Sequence, residues 1–318
     1  MIIKRYAGLA ILAVTCWLLY GLSLSAAATL GAFVPAVVIG LALAGLLYGV
    51  YLERGEALKA PVAGPVFPVK DLYLFVSVVA GAVASYWFSV SLKLGAVIGA
   101  ALVGLLAGVL IPAYAVPIYC GAFAGMASPK VLGNTELLLA AVVAGIVYVL
   151  AQDVFNGFGG KLGTIACTGC ILSAKFYGKA LLSSQVPGWD VGQQILITSV
   201  IAAVVTYIVN VKLGKGAVIA SALVGLAGGL ILPAVFAETG ATLATVCICA
   251  SFAGMASKGR ISNEGLMAAA GVLVGLVYMY SSPYLGGAGG KLGTTAFGSV
   301  IAVSAWAKIA RGLGGKKA

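Results

Sequence analysis

Long apolar runs separated by short polar interruptions dominate the chain. Most of these runs are about 20 residues long, which is the length a helix needs to cross the hydrocarbon core of a bilayer. They lack the ten-residue alternation of apolar and polar positions that is typical of a membrane β-barrel. The pattern predicts an all-α polytopic membrane protein with about 10–12 transmembrane helices. We expect it to lie in the lipid bilayer of a prokaryotic plasma (inner) membrane.

The N-terminal part of the chain, residues 1–70, is predicted to form a transmembrane hairpin followed by a linker. Residues 7–25 follow a short basic start and end in small residues, which resembles a signal peptide. This run is long for a signal peptide and a second run, 29–51, follows almost at once, so we favour a first transmembrane helix. Residues 52–70 are basic and rich in proline, which predicts an extended cytoplasmic linker.

The rest of the chain contains an internal repeat, visible as three sequence blocks that recur in the same order. We therefore predict two homologous halves, repeat 1 (71–183) and repeat 2 (190–310), followed by a basic tail (311–318). The recurring blocks are a glycine-rich run at 95–104 and 216–225, Phe-Ala-Gly-Met-Ala-Ser at 123–128 and 252–257, and Gly-Gly-Lys-Leu-Gly-Thr at 159–164 and 289–294, offset by 121, 129 and 130 positions.

The topology of the halves depends on one short apolar segment in each, near 114–128 and 240–257. If this segment crosses the membrane, each half has five crossings and the halves are inverted. If it is re-entrant, each half has four crossings and the halves are parallel. Counting lysines on each side does not separate the two cases. We favour the inverted arrangement with interrupted or re-entrant segments, because it is frequent in transporters and places the site between the repeats.

Composition narrows the functional classes. The chain is 62% hydrophobic and 8% charged, whereas soluble domains carry about 25% charged residues. The formal charge of +11 lies in short gaps between apolar runs, which indicates the positive-inside effect and not a nucleic-acid partner. The chain has no histidine, which excludes a histidine-based catalytic triad and the usual zinc enzymes. We expect no enzymatic activity, no cofactor and no metal.

The six cysteines lie within or beside apolar runs, where cysteine usually behaves as a small buried hydrophobe. Cys167 and Cys170 have a spacing found in redox and metal sites. They lack a second cysteine pair or a histidine partner, so this signal is weak. A membrane-embedded redox or thiol enzyme therefore remains an alternative function.

The repeated Gly-Gly-Lys-Leu-Gly-Thr breaks are the strongest candidates for a substrate or pore site. A lysine within the bilayer costs at least about 2.5–3.5 kcal/mol, so it needs a compensating role. The flanking glycines and the helix that begins at each break favour an anion, because backbone N–H groups can point towards it. Leucine follows each lysine, so neither break is a nucleotide-binding P-loop. The alternative without a functional role is a loop at the membrane surface, whose lysine side chain extends to water. The predicted site residues are Gly160, Lys161 and Thr164 with Gly290, Lys291 and Thr294, the threonines as helix caps or ligands.

The Phe-Ala-Gly-Met-Ala-Ser segments form a second candidate element. They are small and apolar, and such segments can line a cavity with backbone groups and a serine hydroxyl. Phe123 and Phe252 could form a steric gate, and Ser128 and Ser257 could face the solute. Tight helix packing explains the same composition.

Three acids complete the candidate set. Glu136 and Glu264 follow Asn134 and Asn263, which predicts helix N-caps with an acid in the first turn. Asp153 precedes the first lysine break and has no acidic counterpart in the second half. Each acid is alternatively an ion-pair or proton site.

Together these features predict a channel or secondary transporter for a small anion or small polar solute, with its site at the interface of the two repeats. The scarcity of acids in the spans argues against proton or sodium coupling. A non-transporting subunit of a membrane complex remains a further alternative, and a homo-oligomer is compatible with either function.

Overall fold

The computed structural model describes residues 2–59 and 67–314, and within these ranges the chain forms twelve α-helices and no strand. One isolated antiparallel bridge joins Leu182 to Gly286. The helices are α1 (Ile2–Thr29), α2 (Phe33–Lys59), α3 (Val69–Tyr86), α4 (Ala96–Leu110), α5 (Ala115–Ala124), α6 (Asn134–Ala151), α7 (Lys161–Phe176), α8 (Trp189–Tyr207), α9 (Ala217–Val235), α10 (Gly240–Gly254), α11 (Glu264–Tyr280) and α12 (Lys291–Gly314).

Seven helical segments of the described chain are long and apolar enough to cross a membrane. They are formed by α1, α2, α3, α6, α8, α9 and α12, with α3 and α8 extended by short π-helical segments. Helices α4, α10 and α11 are apolar but shorter. These lengths confirm the prediction of an all-helical integral membrane protein.

The helices occur in the same order in the two ranges predicted to be repeats. Helices α3–α7 occupy the first range and α8–α12 the second, five in each. A π-helical segment follows the first helix of each range, at Trp87–Ser91 and at Ile208–Lys212. The short segment whose path the sequence left open forms its own helix in both ranges, α5 in the first and α10 in the second.

Helices α4 and α9 pack against each other in antiparallel orientation. A Cβ built on Gly108, near the end of α4, would lie 2.7 Å from Ile219 near the start of α9. Conversely, a Cβ on Gly229, in the second half of α9, would lie 3.1 Å from both Val97 and Ile98 at the start of α4. Small residues at these positions permit the close approach of the two helices.

Helices α7 and α12 also run antiparallel, but they overlap only over their first two turns. A Cβ on Gly163 would lie 2.5 Å from the Cα of Gly293, and the reverse distance is also 2.5 Å. The start of each helix therefore contacts the second turn of the other, and the two helices diverge from this crossing. The contacting pairs are Gly163 with Gly293, Gly160 with Phe297, and Gly290 with Cys167.

The N-terminal hairpin packs against the same crossing. Helix α1 contacts α6, α7 and α12, and α2 contacts α12. The Tyr20 hydroxyl donates to the Thr295 carbonyl oxygen at 2.8 Å, and the Thr15 and Thr168 hydroxyls lie 2.9 Å apart. Residues from α1 thus reach both helices that begin at the lysine breaks.

The stretch predicted as an extended linker is partly helical. Helix α2 continues through Lys59, and Pro68 is the N-cap residue of α3. Pro61 and Pro65, on which the linker prediction largely depends, lie outside the described residues.

Candidate functional site

Both Gly-Gly-Lys-Leu-Gly-Thr breaks end in a left-handed glycine directly before the lysine. Gly160 has φ +82° and Gly290 has φ +83°. L-residues with a side chain rarely adopt this conformation, so glycine lets the chain turn sharply into a helix. Lys161 is the first residue of α7 and Lys291 is the first residue of α12. The backbone therefore places both lysines at helix N-termini.

The Lys161 side chain is largely buried, with 9% of its surface exposed. Its ammonium donates to the Gln152 carbonyl oxygen at 3.3 Å and to Asn156 Oδ1 at 3.1 Å. Gln152 is the C-cap of α6, where helix carbonyls carry partial negative charge. The charge of Lys161 thus offsets the partial negative charge at the C-terminus of α6, while its backbone begins α7.

Lys291 makes the equivalent arrangement in the second half of the chain. Its ammonium donates to the carbonyl oxygens of Ser281 at 2.7 Å and Tyr284 at 2.6 Å. Ser281 is the C-cap of α11. An ammonium has three N–H donors, and each of these lysines uses two of them within the described part of the chain.

Each lysine lines a separate cavity. We call them the α7 cavity, with a volume of about 240 Å³ and Lys161 in its wall, and the α12 cavity, with a volume of about 280 Å³ and Lys291 in its wall. Several residues in the two walls are ones that the predicted repeat aligns with each other. The aligned pairs, α7 cavity first, are Lys161 with Lys291, Tyr148 with Tyr278, Met255 with Met126, Val116 with Thr245, and Ala217 with Ala96.

Phe123 and Phe252 pack directly against each other where α5 meets α10. Their ring centroids are 4.2 Å apart and both side chains are fully buried. The ring of Tyr119 lies 4.3 Å from Phe123, and its hydroxyl lies 3.1 Å from the hydroxyl of Ser221. The predicted gate residues are thus brought together in a closed aromatic cluster.

Ser128 and Ser257 make reciprocal backbone contacts but differ in their surroundings. The Ser128 amide donates to the Gly287 carbonyl oxygen and the Ser257 amide to that of Gly157, each at 2.9 Å. Ser128 lines the α12 cavity. Ser257 is exposed and does not line the α7 cavity, so only one of the two predicted serines faces a cavity.

Thr164 and Thr294 are fully buried and do not cap their helices, contrary to one of their predicted roles. The N-cap residue of α7 is Gly160, and its carbonyl oxygen accepts from the amides of Gly163 and Thr164. The Thr164 hydroxyl has no hydrogen-bond partner among the described residues, whereas that of Thr294 lies 3.4 Å from the Gly290 carbonyl oxygen.

The three candidate acids all form ion pairs, none of them with Lys161 or Lys291. Asp153 is half-exposed and pairs with Arg5 of α1, while the side chain next to Lys161 is that of Asn156. The pairs are Glu136 with Lys179 (3.3 Å), Asp153 with Arg5 (3.8 Å), and Glu264 with Lys212.

The predicted caps are confirmed in one half only. Asn263 is the N-cap of α11, and its side chain accepts from the Leu266 amide at 2.9 Å. The expectation for Asn134 is wrong, because Gly133 occupies the N-cap position and Asn134 is already helical.

A cluster of charged groups holds the first break, and the sequence did not reveal it. Glu53 accepts from the Phe155 amide at 2.7 Å and pairs with Arg260 at 3.1 Å. Arg260 in turn donates to the Asn156 carbonyl oxygen at 2.8 Å, and its guanidinium stacks 4.2 Å from the ring of Phe158. Residues 155–158, which precede Lys161, are therefore held from both α2 and the α10–α11 loop.

A second buried acid supports the same break. Asp71 accepts from Lys4 at 2.5 Å and from the Gln152 side chain at 2.9 Å. The corresponding segment before Lys291 has backbone support instead, through the bridge of Leu182 to Gly286. The available signal was that Asp71 begins an apolar run and Glu53 ends one, where an unpaired charge is costly.

All six cysteines are free and buried. Cys120 donates to the Leu162 carbonyl oxygen at 3.3 Å, and Cys249 donates to that of Leu292 at 3.2 Å. In residues 2–59 and 67–314, no group of three or more histidine, cysteine, aspartate and glutamate side chains is placed to hold a metal ion. Cys120 and Cys249 are thus hydrogen-bonded within the helix packing.

Fold and cavities together indicate a polytopic α-helical integral membrane protein with two internal cavities that each contain a lysine. No protein-family model, no curated protein and no solved structure matches the chain. Its function is therefore inferred from the geometry of the site.

Proposed function

We propose that the protein is a channel or secondary transporter for a small anion or small polar solute, with its site at the interface of two inverted repeats. The observation that carries this proposal is the pair of aligned cavities, each with a lysine at a helix start in its wall. Such a pair is difficult to explain by packing alone, because each lysine costs free energy within a membrane.

The inverted arrangement is supported by the direction of the aligned helices. Two repeats related by an axis in the membrane plane place corresponding helices antiparallel across that axis, whereas parallel repeats would leave them parallel. Helices α4 and α9 are antiparallel, and so are α7 and α12. The reciprocal contacts of Ser128 with Gly287 and Ser257 with Gly157 follow the same relation. Under this proposal the two cavities open to opposite sides of the bilayer.

The aromatic pair Phe123 and Phe252 would then separate the two cavities. The backbone of each phenylalanine also contacts the lysine break of the other half. A Cβ built on Gly289 would lie 2.6 Å from the Phe123 carbonyl oxygen. A Cβ built on Gly159 would lie 2.5 Å from the Phe252 carbonyl oxygen. A change in the packing of these rings would therefore shift the backbone at both lysine breaks. Under this proposal the packed rings form the closed state of this barrier.

The chemistry of the cavities favours an anion. Each contains an ammonium with an uncommitted N–H donor and the N-terminus of a helix, where partial positive charge accumulates. Volumes of 240–280 Å³ are smaller than the roughly 300–1,000 Å³ of pockets for drug-sized ligands. The solute under this proposal is small, and the chain resides in the inner membrane of a prokaryotic cell.

Solute flux into proteoliposomes tests the proposal. The panel contains nitrate, bicarbonate, phosphate, sulfate, a small carboxylate, urea and sodium. Wild type is compared with Lys161→Met and Lys291→Met, which keep an unbranched side chain one atom shorter and remove its charge. Lys215→Met is the matched control, because Lys215 is exposed and lines neither cavity.

Selective anion flux that is lost in both site variants and retained in the control supports the proposal. If urea flux survives both substitutions, the protein is a channel whose mechanism does not depend on the two lysines. No flux of any solute through folded wild-type protein overturns the transport function. Because the lysines also compensate helix ends, Lys161→Arg and Lys291→Arg are measured alongside, since arginine retains the positive charge.

A further inference from the structure

Two tyrosine hydroxyls in the cavities lack a protein partner. Tyr148 on α6 lines the α7 cavity and Tyr278 on α11 lines the α12 cavity. Neither hydroxyl has a hydrogen bond to any described residue, although Tyr148 is only 8% exposed. Buried tyrosine hydroxyls usually find a partner. Four other buried tyrosines in this chain do so, namely Tyr20, Tyr86, Tyr119 and Tyr207.

In the α12 cavity, the free hydroxyl accompanies two further uncommitted donors. Lys291 has a third N–H donor beyond those directed at Ser281 and Tyr284. The Ser128 hydroxyl oxygen accepts from the Lys130 amide at 3.3 Å, which leaves its own proton available. Tyr278, Lys291 and Ser128 all line this cavity.

The α7 cavity carries a comparable set built from different residues. Lys161 again has a third N–H donor, and the Asn156 side chain accepts from Lys161 through Oδ1, which leaves its NH₂ group without a partner in the described chain. Tyr148, Lys161 and Asn156 all line this cavity. Each cavity therefore offers one charged and two neutral donors.

We propose that each cavity is a binding site for a small oxyanion, in which the tyrosine hydroxyl and the lysine ammonium coordinate different oxygens and Ser128 or Asn156 supplies a third donor. This assignment rests on the transport function proposed above and makes it more specific. An oxyanion presents several acceptors in separate directions, which matches three donors on different helices and loops. A halide presents a single acceptor centre and satisfies this arrangement less well.

The test is uptake of nitrate, bicarbonate and chloride by proteoliposomes as a function of concentration, with wild type, Tyr148→Phe, Tyr278→Phe and the double variant. The substitution removes only the hydroxyl and leaves the packing of the ring. Tyr73→Phe is the control, because Tyr73 is 56% exposed and lines neither cavity. Stabilisation of the detergent-solubilised protein by nitrate, measured as a shift in its melting temperature, gives a binding readout that does not depend on flux.

Loss of one neutral hydrogen bond should raise the half-saturating concentration of the oxyanion about 3–10-fold in each single variant. The preference for oxyanion over chloride should fall in parallel, and nitrate should stabilise the double variant less than wild type. If both tyrosine variants match Tyr73→Phe in affinity and preference while wild type transports an anion, this inference is wrong and the transport function stands. If wild type transports urea but neither transports nor is stabilised by any anion, only this inference is wrong. If wild type transports no solute of the panel and is stabilised by no anion, both are wrong.

Discussion

Gly163 and Gly293 pack so closely that a Cβ on either residue would lie 2.5 Å from the Cα of the other. The contact joins two helix starts that are far apart in the chain and sets the distance between the two lysine breaks. No side chain larger than hydrogen fits without moving one of the helices.

We expect Gly163→Ala and Gly293→Ala each to destabilise the protein by about 1–3 kcal/mol, because overpacking must move backbone against backbone. The measurement is thermal or denaturant unfolding in detergent. Gly40→Ala is the control, since a Cβ there meets nothing within 4 Å and the change should be neutral or stabilise the helix by up to about 1 kcal/mol. Equal stability of all three variants would show that the crossing is looser than described.

Glu53 holds the break before Lys161 through the Phe155 amide and Arg260. Glu53→Ala leaves the Phe155 amide and the Arg260 guanidinium without their acceptor. We therefore expect a loss of stability of about 1–3 kcal/mol. This is less than the usual cost of breaking a fully buried pair, because Arg260 is partly exposed. Glu238→Ala is the matched control, because Glu238 is exposed and forms no ion pair with another described residue.

A double-mutant cycle with Arg260→Ala separates the pair from the amide contact. Full additivity of Glu53→Ala and Arg260→Ala would contradict the ion pair. We also expect Glu53→Ala to reduce flux through the α7 cavity, since the Asn156 carbonyl and side chain are both part of this network.

The packed rings of Phe123 and Phe252 predict a size limit for the solute. We expect Phe123→Leu and Phe252→Leu to increase flux of larger anions relative to nitrate, because a smaller side chain opens the contact. Leucine is chosen because alanine would cost about 3–5 kcal/mol in a buried site. The measurement is the flux ratio of gluconate to nitrate in proteoliposomes.

Phe176→Leu serves as the control for this series, since Phe176 is 75% exposed at the end of α7. An unchanged size limit in both gate variants would remove the aromatic pair from the solute path.

The buried thiols predict low reactivity. All six cysteines are buried, and Cys120 and Cys249 donate to backbone carbonyls. A water-soluble maleimide should therefore label the folded protein slowly, whereas Ser282→Cys, in the wall of the α12 cavity, should label rapidly. Mass spectrometry of the labelled peptides distinguishes the sites. Rapid labelling of Cys167 or Cys170 with loss of function would instead favour a thiol enzyme.

Local features of the chain were predictable because their causes lie within a few residues. Apolar runs of membrane length fold as helices because every backbone polar group must be bonded internally in lipid. The Gly-Lys steps mark helix starts, because glycine alone enters the left-handed conformation without strain, as Gly160 and Gly290 do. The N-cap at Asn263 is also a local feature, because its side chain accepts from the amide of Leu266, three residues further along the chain.

The partners of individual polar groups were not predictable in the same way. Asp153 pairs with Arg5, whereas Lys161 turns to Gln152 and Asn156. Glu53 reaches Arg260 across 207 positions of the chain. A single sequence carries no signal for such pairs, because they depend on which helices become neighbours.

The sequence by itself determined the bilayer as the solvent, the order of the helices and the aligned blocks that place two lysines at equivalent positions. Only the tertiary structure decided that α7 and α12 cross at Gly163 and Gly293, that the lysines line two cavities and that Tyr148 and Tyr278 join them. The physical reason is the range of the interactions. Burial and backbone conformation act within a helix or a turn, whereas cavities and donor sets arise where segments more than a hundred residues apart come into contact.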